Sequence, residues 1–191
     1  MSTRAIHKAK SSHRTLKDGT TATIRPIRPE DEPLMVEFHK TLSESSVHLR
    51  YFGMLNLEER IGHERLKRIC SNDDDREIAL VVDRGTPGGG HEILGIGRLC
   101  RTLEPGEGEV AFIVSDPWQR QGLGTALMEK LVCIAQDEGM TRLCGCIMAG
   151  NTGMQKVFKK AGFQLHPLSD GEYRADMLLP KSPAAPEHRV E

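Results

Sequence analysis

Apolar residues change their spacing partway along this chain. Up to about residue 70 they recur every three or four positions, and beyond it they come in short runs. Leu34, Phe38 and Leu42 stand four apart, a helical stripe. Pro29 followed by Glu30, Asp31 and Glu32 makes a good first turn for it, with acids at the positive end of the helix dipole. Thr21 to Ile27 before it is β-rich and predicts a strand. A second helix is expected over Ser45–Phe52. A third is expected over Leu57–Cys70, where Ile61, Leu66 and Ile69 are apolar. The later runs "EIALVVD" and "EILGIGRLC" read as strands joined through the flexible "RGTPGGGH". "GEVAFIVS" is a further strand. Leu123, Leu127, Leu131 and Ile134 then draw a longer helix, "RLCGCIMA" a strand, and "TGMQKVFKKAG" a short helix stopped at Gly162. "FQLHPL" and "EYRADMLL" close as a hairpin. This order predicts an α/β domain with one mixed sheet covered on both faces.

Bulk properties narrow the function classes. A length of 191 residues suits one domain, expected over residues 19–180. A flexible basic arm is expected over 1–18 and a disordered tail over 181–191. No stretch approaches the roughly 18 apolar residues of a membrane span. The N-terminus also lacks a secretory apolar core, so a cytoplasmic location is expected. Lys and Arg number 26 against 27 Asp and Glu, which argues against nucleic acid as a partner. Five cysteines, an odd number in apolar surroundings, are expected to be free buried thiols in a reducing compartment. No metal site is expected. Cys144 and Cys146 share a strand face without a second pair or a nearby histidine, and no HExxH occurs.

The stretch "DPWQRQGLGTALMEKL", Asp116 to Leu131, puts two glycines directly before a helix. Such glycines can simply relieve crowding in a strand-to-helix turn. They can also let backbone N–H groups approach an anion at the positive end of the helix. In the second reading Gly122 and Gly124 give the approach, Arg120 a charge and Thr125 a hydroxyl. A P-loop is excluded, because no Lys-Ser/Thr follows the glycines.

Two segments together resemble the GNAT superfamily of acyl-CoA-dependent N-acyltransferases. "VSDPWQRQGLGTAL" matches its Q/R-x-x-G-x-G/A loop, and "NTGMQKVFKKAGF" matches its later segment in spacing. The resemblance implies a mostly antiparallel sheet, flanked by helices and splayed at its central strands. It also implies acetyl-CoA as cosubstrate, with Gln119, Arg120, Gln121, Gly122, Leu123, Gly124 and Thr125 around its pyrophosphate. Backbone groups of Phe112, Ile113 and Val114 would pair with the pantetheine arm, and one N–H there would stabilise the oxyanion. Asn151 and Phe158 would complete the cofactor side. Phe158 stands where many members carry a tyrosine acid, and it has no proton to give.

An attacking lysine, with a pKa near ~10.4 in water, must first lose a proton. The resemblance assigns that task to Glu109, and burial against Val110 and Phe112 is expected to make it a stronger base. Glu107, on the same strand face, is the rival. "RPIRPEDEPLMVEFHKTLSESSVHLRYF" resembles a narrower branch, the bacterial protein lysine acetyltransferases acting on acyl-CoA synthetases. The expected reaction is therefore direct acetyl transfer, in a ternary complex, to a protein lysine such as that of a synthetase. Transfer to a small amine (polyamine, amino acid or antibiotic) and acyl-CoA sensing without turnover are the alternatives.

Overall fold

The computed structural model describes residues 11–71 and 76–180. The first ten residues of the expected arm and the whole of the expected tail, 181–191, lie outside the described residues. Strand β1 (Ser12–Thr15) falls within the expected arm and pairs antiparallel with β2 (Thr21–Pro26). A tight turn holds the pair: Thr20 N–H donates to Asp18 Oδ1 at 2.9 Å, and Gly19 takes a φ of 82°. "KDGT" is thus an Asp-Gly hairpin signal hidden in a basic, polar stretch.

After a 3₁₀ turn at Pro29–Asp31 come α1 (Glu32–Lys40) and α2 (Glu44–Tyr51), the latter capped where Ser43 Oγ accepts from Ser46 N–H. The single helix expected over Leu57–Cys70 is two, α3 (Leu57–Ile61) and α4 (His63–Ile69). Gly62 breaks it by taking an extended ψ of 130°. Asn56 and Glu59 form a reciprocal cap at the start of α3.

Three long strands follow, β3 (Glu77–Gly85), β4 (His91–Arg101) and β5 (Glu107–Val114), then α5 (Leu123–Asp137), β6 (Arg142–Met148) and α6 (Thr152–Ala161). Strands β7 (Gln164–Pro167) and β8 (Glu172–Leu178) end the domain. The sheet order is β1-β2-β3-β4-β5-β6-β8-β7, and every pair is antiparallel except β5 with β6. Among the described residues no helix is long and apolar enough to cross a membrane.

The sheet is buried on both faces, which is why β3 reads as an unbroken apolar run. Leu80 and Val82 pack with α5 and α6 in one core, while Ala79 and Val81 pack with α1, α2 and α4 in the other. Strand β5 divides likewise. Val110 and Phe112 join the α5 side, and Ile113 the opposite one.

The parallel β5–β6 pair determines where a cleft can form. Its register covers only Glu107–Glu109 against Arg142–Cys144, and beyond that the strands part. Phe158 of α6, 2% exposed, stands at the fork. Its ring stacks on Phe112 at 5.6 Å between centroids and meets Phe163 edge-on at 4.8 Å. A Cβ on Gly145 of β6 would come within 2.8 Å of that ring and 3.0 Å of the Val110 carbonyl. Gly145 is therefore the space into which the ring fits. Replacing Gly145 with Ala should overpack the fork and cost ~1–3 kcal/mol. Urea unfolding checks the loss, and Phe158→Leu in the same chain should restore part of it.

Candidate active site

Where β5 and β6 separate, a cleft of about 330 Å³ opens between α2, β5, the glycine loop, β6 and α6. Glu109 and every expected cofactor residue line it except Gln121, whose side-chain oxygen is buried without a hydrogen-bond partner among the described residues. From Val110 to Val114, β5 has no partner in β6, although it keeps its pairing with β4 as far as Val114 against Gly95.

The glycine loop begins after a 3₁₀ turn at Asp116–Trp118. Arg120 (φ 58°) and Gly122 (φ 84°) both take left-handed backbone, so the chain coils before α5 starts. The first residue after Gly122 whose N–H returns to the helix is Ala126, bonding Gly122 O at 3.0 Å. The N–H groups of Leu123, Gly124 and Thr125 therefore lead a 15-residue helix without an intrahelical acceptor. Nothing crowds them: a Cβ on Gly124 would stand 3.8 Å from Val157, an ordinary contact. Gln119 turns inward, its Nε2 donating to Ser46 Oγ (3.0 Å) and Val114 O (3.2 Å). It ties the loop to α2 and β5. Asn151 caps α6, accepting from Met154 N–H at 3.1 Å.

Two residues at this end were not foreseen in the sequence. Arg14, in the stretch expected to be a mobile arm, brings its guanidinium to the loop, 3.5 Å from where a Cβ on Gly122 would lie. Trp118 lines the cleft and stacks under Arg84, whose Cζ is 3.9 Å from the ring centroid. No local signal marks Arg14, because its approach depends on β1 being part of the sheet.

At the other end the two glutamates separate cleanly. Glu107 is buried and engaged, accepting from Thr102 Oγ1 at 3.2 Å and from Arg174 Nη2 at 3.4 Å. Glu109 is exposed, lines the cleft, and makes no hydrogen bond or ion pair among the described residues. Its expected burial against Val110 and Phe112 is overturned. Those two point to the α5 core, and strand alternation sends Glu109 to the opposite face.

The cysteines also depart from the expectation of five buried thiols. Cys70 and Cys144 are buried, Cys100 is half-buried, and Cys133 and Cys146 are exposed. Cys144 and Cys146 share a face yet differ in burial, because the fork opens between them. Burial pushes the Cys144 thiol up to about 12, and burial with Glu109 next also raises that of Cys146, which lines the cleft. Neither is poised as a nucleophile. Among the described residues no cluster of His, Cys, Asp or Glu could hold a metal ion.

Known proteins agree with this architecture. Residues 22–164 match the acetyltransferase (GNAT) domain family. Acetyltransferase PA5475 of Pseudomonas aeruginosa is 28% identical over 149 residues, 78% of each chain. The crystal structure of the GNAT domain of S. lividans PAT superposes with a TM-score of 0.75 at 29% identity, covering 88% of this chain and 97% of that one. The PaiA N-acetyltransferase of Thermoplasma acidophilum, solved with coenzyme A, shares the fold at a TM-score of 0.63 and 14% identity, covering 82% of this chain and 98% of its own. With most of its length matched, the chain belongs to the GNAT family and is an acyl-CoA-dependent N-acetyltransferase.

Proposed function

We propose that this enzyme transfers acetyl from acetyl-CoA to a lysine side chain of a protein, by direct attack within a ternary complex. The observation that carries the reading is Glu109, a free carboxylate at the fork of β5 and β6, with an anion-ready helix end along the same cleft. Similarity to the GNAT domain of S. lividans PAT, and the resemblance of residues 25–52 to the protein lysine acetyltransferases, support the protein acceptor. Arg50 on the acceptor side of the cleft works against a polycationic small amine.

In this reading the N–H groups of Leu123, Gly124 and Thr125 take the diphosphate of the cosubstrate, with Arg120 and Arg14 adding charge. The unpaired rim of Phe112, Ile113 and Val114 takes the pantetheine amides as an added strand would. Glu109 accepts a proton from the lysine ammonium, directly or through water. The freed amine forms a bond to the thioester carbon, and a β5 backbone N–H stabilises the oxygen as it becomes anionic. As the tetrahedral centre collapses the nitrogen gives its second proton to water, the C–S bond breaks, and the electron pair leaves on sulfur. Phe158 cannot protonate that sulfur, and a thiol of ordinary acidity leaves as the thiolate. The raised thiol of Cys146 speaks against a detour through an acyl-cysteine.

Three measurements test these assignments. Gly124→Asp places its Cβ at an ordinary contact distance but sets a carboxylate against a diphosphate, so CoA affinity by calorimetry should fall ~10-fold or more. Unchanged affinity in the folded variant would remove the loop from the site. Glu109→Gln should keep acetyl-CoA affinity while turnover drops by ~10²–10⁴. If Glu107→Gln is crippled and Glu109→Gln is not, the base is the other carboxylate. Incubating an AMP-forming acyl-CoA synthetase with this enzyme and labelled acetyl-CoA should put label on its catalytic lysine and silence it. Rapid acetylation of spermidine or a free amino acid, with every tested synthetase unlabelled, would overturn the protein acceptor.

A further inference from the structure

The sheet face covered by α1, α2 and α4 holds a second cavity, of about 310 Å³, walled by those helices and by strands β3, β4 and β5. It adjoins the cleft, because Arg50, Ala111 and Ile113 line both. Four arginines, Arg50, Arg65, Arg68 and Arg98, line it against one carboxylate, Glu77, with which Arg98 already pairs. Among the described residues no carboxylate lies within ion-pair distance of Arg50, Arg65 or Arg68. The Arg50 and Arg65 guanidiniums instead lie against the Tyr51 ring, at 5.2 and 5.3 Å from its centroid.

Such a cluster is costly as it stands. Burial holds the Arg50 guanidinium below its ordinary range; Arg98 reinforces that effect, while Tyr51 and the Glu109 carboxylate oppose it. Arg50, Arg65 and Arg98 are half-buried and Arg68 is exposed, and cations crowded this way are stabilised when an anion joins them. Hydrogen-bonding capacity for that anion is also present and unused. Arg65 Nε and Arg98 Nε are buried without partners among the described residues. His39, 1% exposed, lines the cavity with both ring nitrogens unpartnered. Burial, with Arg60 and Arg65 adding to it, pushes His39 down to about 4. At neutral pH it is therefore an uncharged ring offering one N–H.

Guanidinium forks and a neutral N–H donor suit a carboxylate. We infer that this cavity is an anion subsite that seats a carboxylate carried by the amine acceptor, so that acceptors bearing one near the reacting amine are selected. The spacing fits. Ala111 and Glu109 share one face of β5 two residues apart, roughly 7 Å along a strand. A carboxylate held beside Ala111 thus leaves one or two residues' reach to an amine at Glu109. In the protein-acceptor reading, on which this form of the inference rests, the carboxylate is an acidic side chain flanking the target lysine. The same chemistry could come from the carboxylate of a free amino acid.

The test compares acetylation of lysine peptides with Glu or Gln flanking the lysine, and of free lysine or cadaverine, which lacks the carboxylate. Wild-type enzyme should favour the Glu peptide by ~10-fold or more in kcat/KM. Arg65→Gln should erase that preference while acetyl-CoA affinity stays unchanged. Preference for free lysine over cadaverine, with neither peptide used, keeps the subsite and removes the protein acceptor. Independently of turnover, glutarate titrated into the wild-type protein should shift the His39 imidazole NMR signals saturably, and Arg98→Gln should weaken that binding. Equal use of acidic and neutral acceptors, together with unmoved His39 signals, would overturn the inference.

Discussion

Everything functional in this molecule depends on a parallel pairing that stops early. Strands β5 and β6 are seven or eight residues long, yet they bond only over Glu107–Glu109 and Arg142–Cys144. The crossover through α5 brings them side by side, and the packed Phe112, Phe158 and Phe163 rings fill the fork from the α6 side. Gly145 takes that ring against β6 because it has no side chain. Continued pairing would close the cleft and satisfy the rim of β5 internally. The interrupted ladder leaves backbone groups that another extended chain can bond.

Alternation along β5 then distributes the chemistry. Val110 and Phe112 face the α5 core and anchor the strand, while Glu109, Ala111 and Ile113 face the helices that precede the sheet. The carboxylate in the cleft and the floor of the arginine-lined cavity are thus two parts of one strand face. Glu107, two residues before Glu109, belongs to that face but lies inside the paired region, where Thr102 and Arg174 occupy it. The same residue type on the same face differs in availability because the fork opens between the two.

The architecture supports the site from its ends as well. Gln119 pins the glycine loop to α2 and β5, and Asn151 is spent on capping α6. The Gln119 hydrogen bonds hold the loop without taking the N–H groups that lead α5. Arg14 reaches the loop only because the Asp18-Gly19 turn folds β1 back onto β2.

Read alone, the sequence determined most of the element order, the mixed sheet and the glycine loop, because each has a local signature, while Phe112, Ile113, Val114, Asn151 and Phe158 came through the family resemblance. Period-four stripes give helices, short apolar runs give buried strands, and Gly122 and Gly124 before Leu123, Leu127 and Leu131 give a helix with an open N-terminus. Its misjudgements fell where a side chain's state depends on distant neighbours. The break at Gly62 and the strand at Ser12–Thr15 had weak local cues that composition masked. Which glutamate is free, which cysteines are buried, and the convergence of four arginines and His39 on one cavity had no local cue at all. Residues 39, 50, 65 and 98 come from four separate elements, and only packing both faces of the sheet brings them together. Local backbone preference acts over a few residues, whereas burial and charge pairing act through space, so tertiary structure alone decided them.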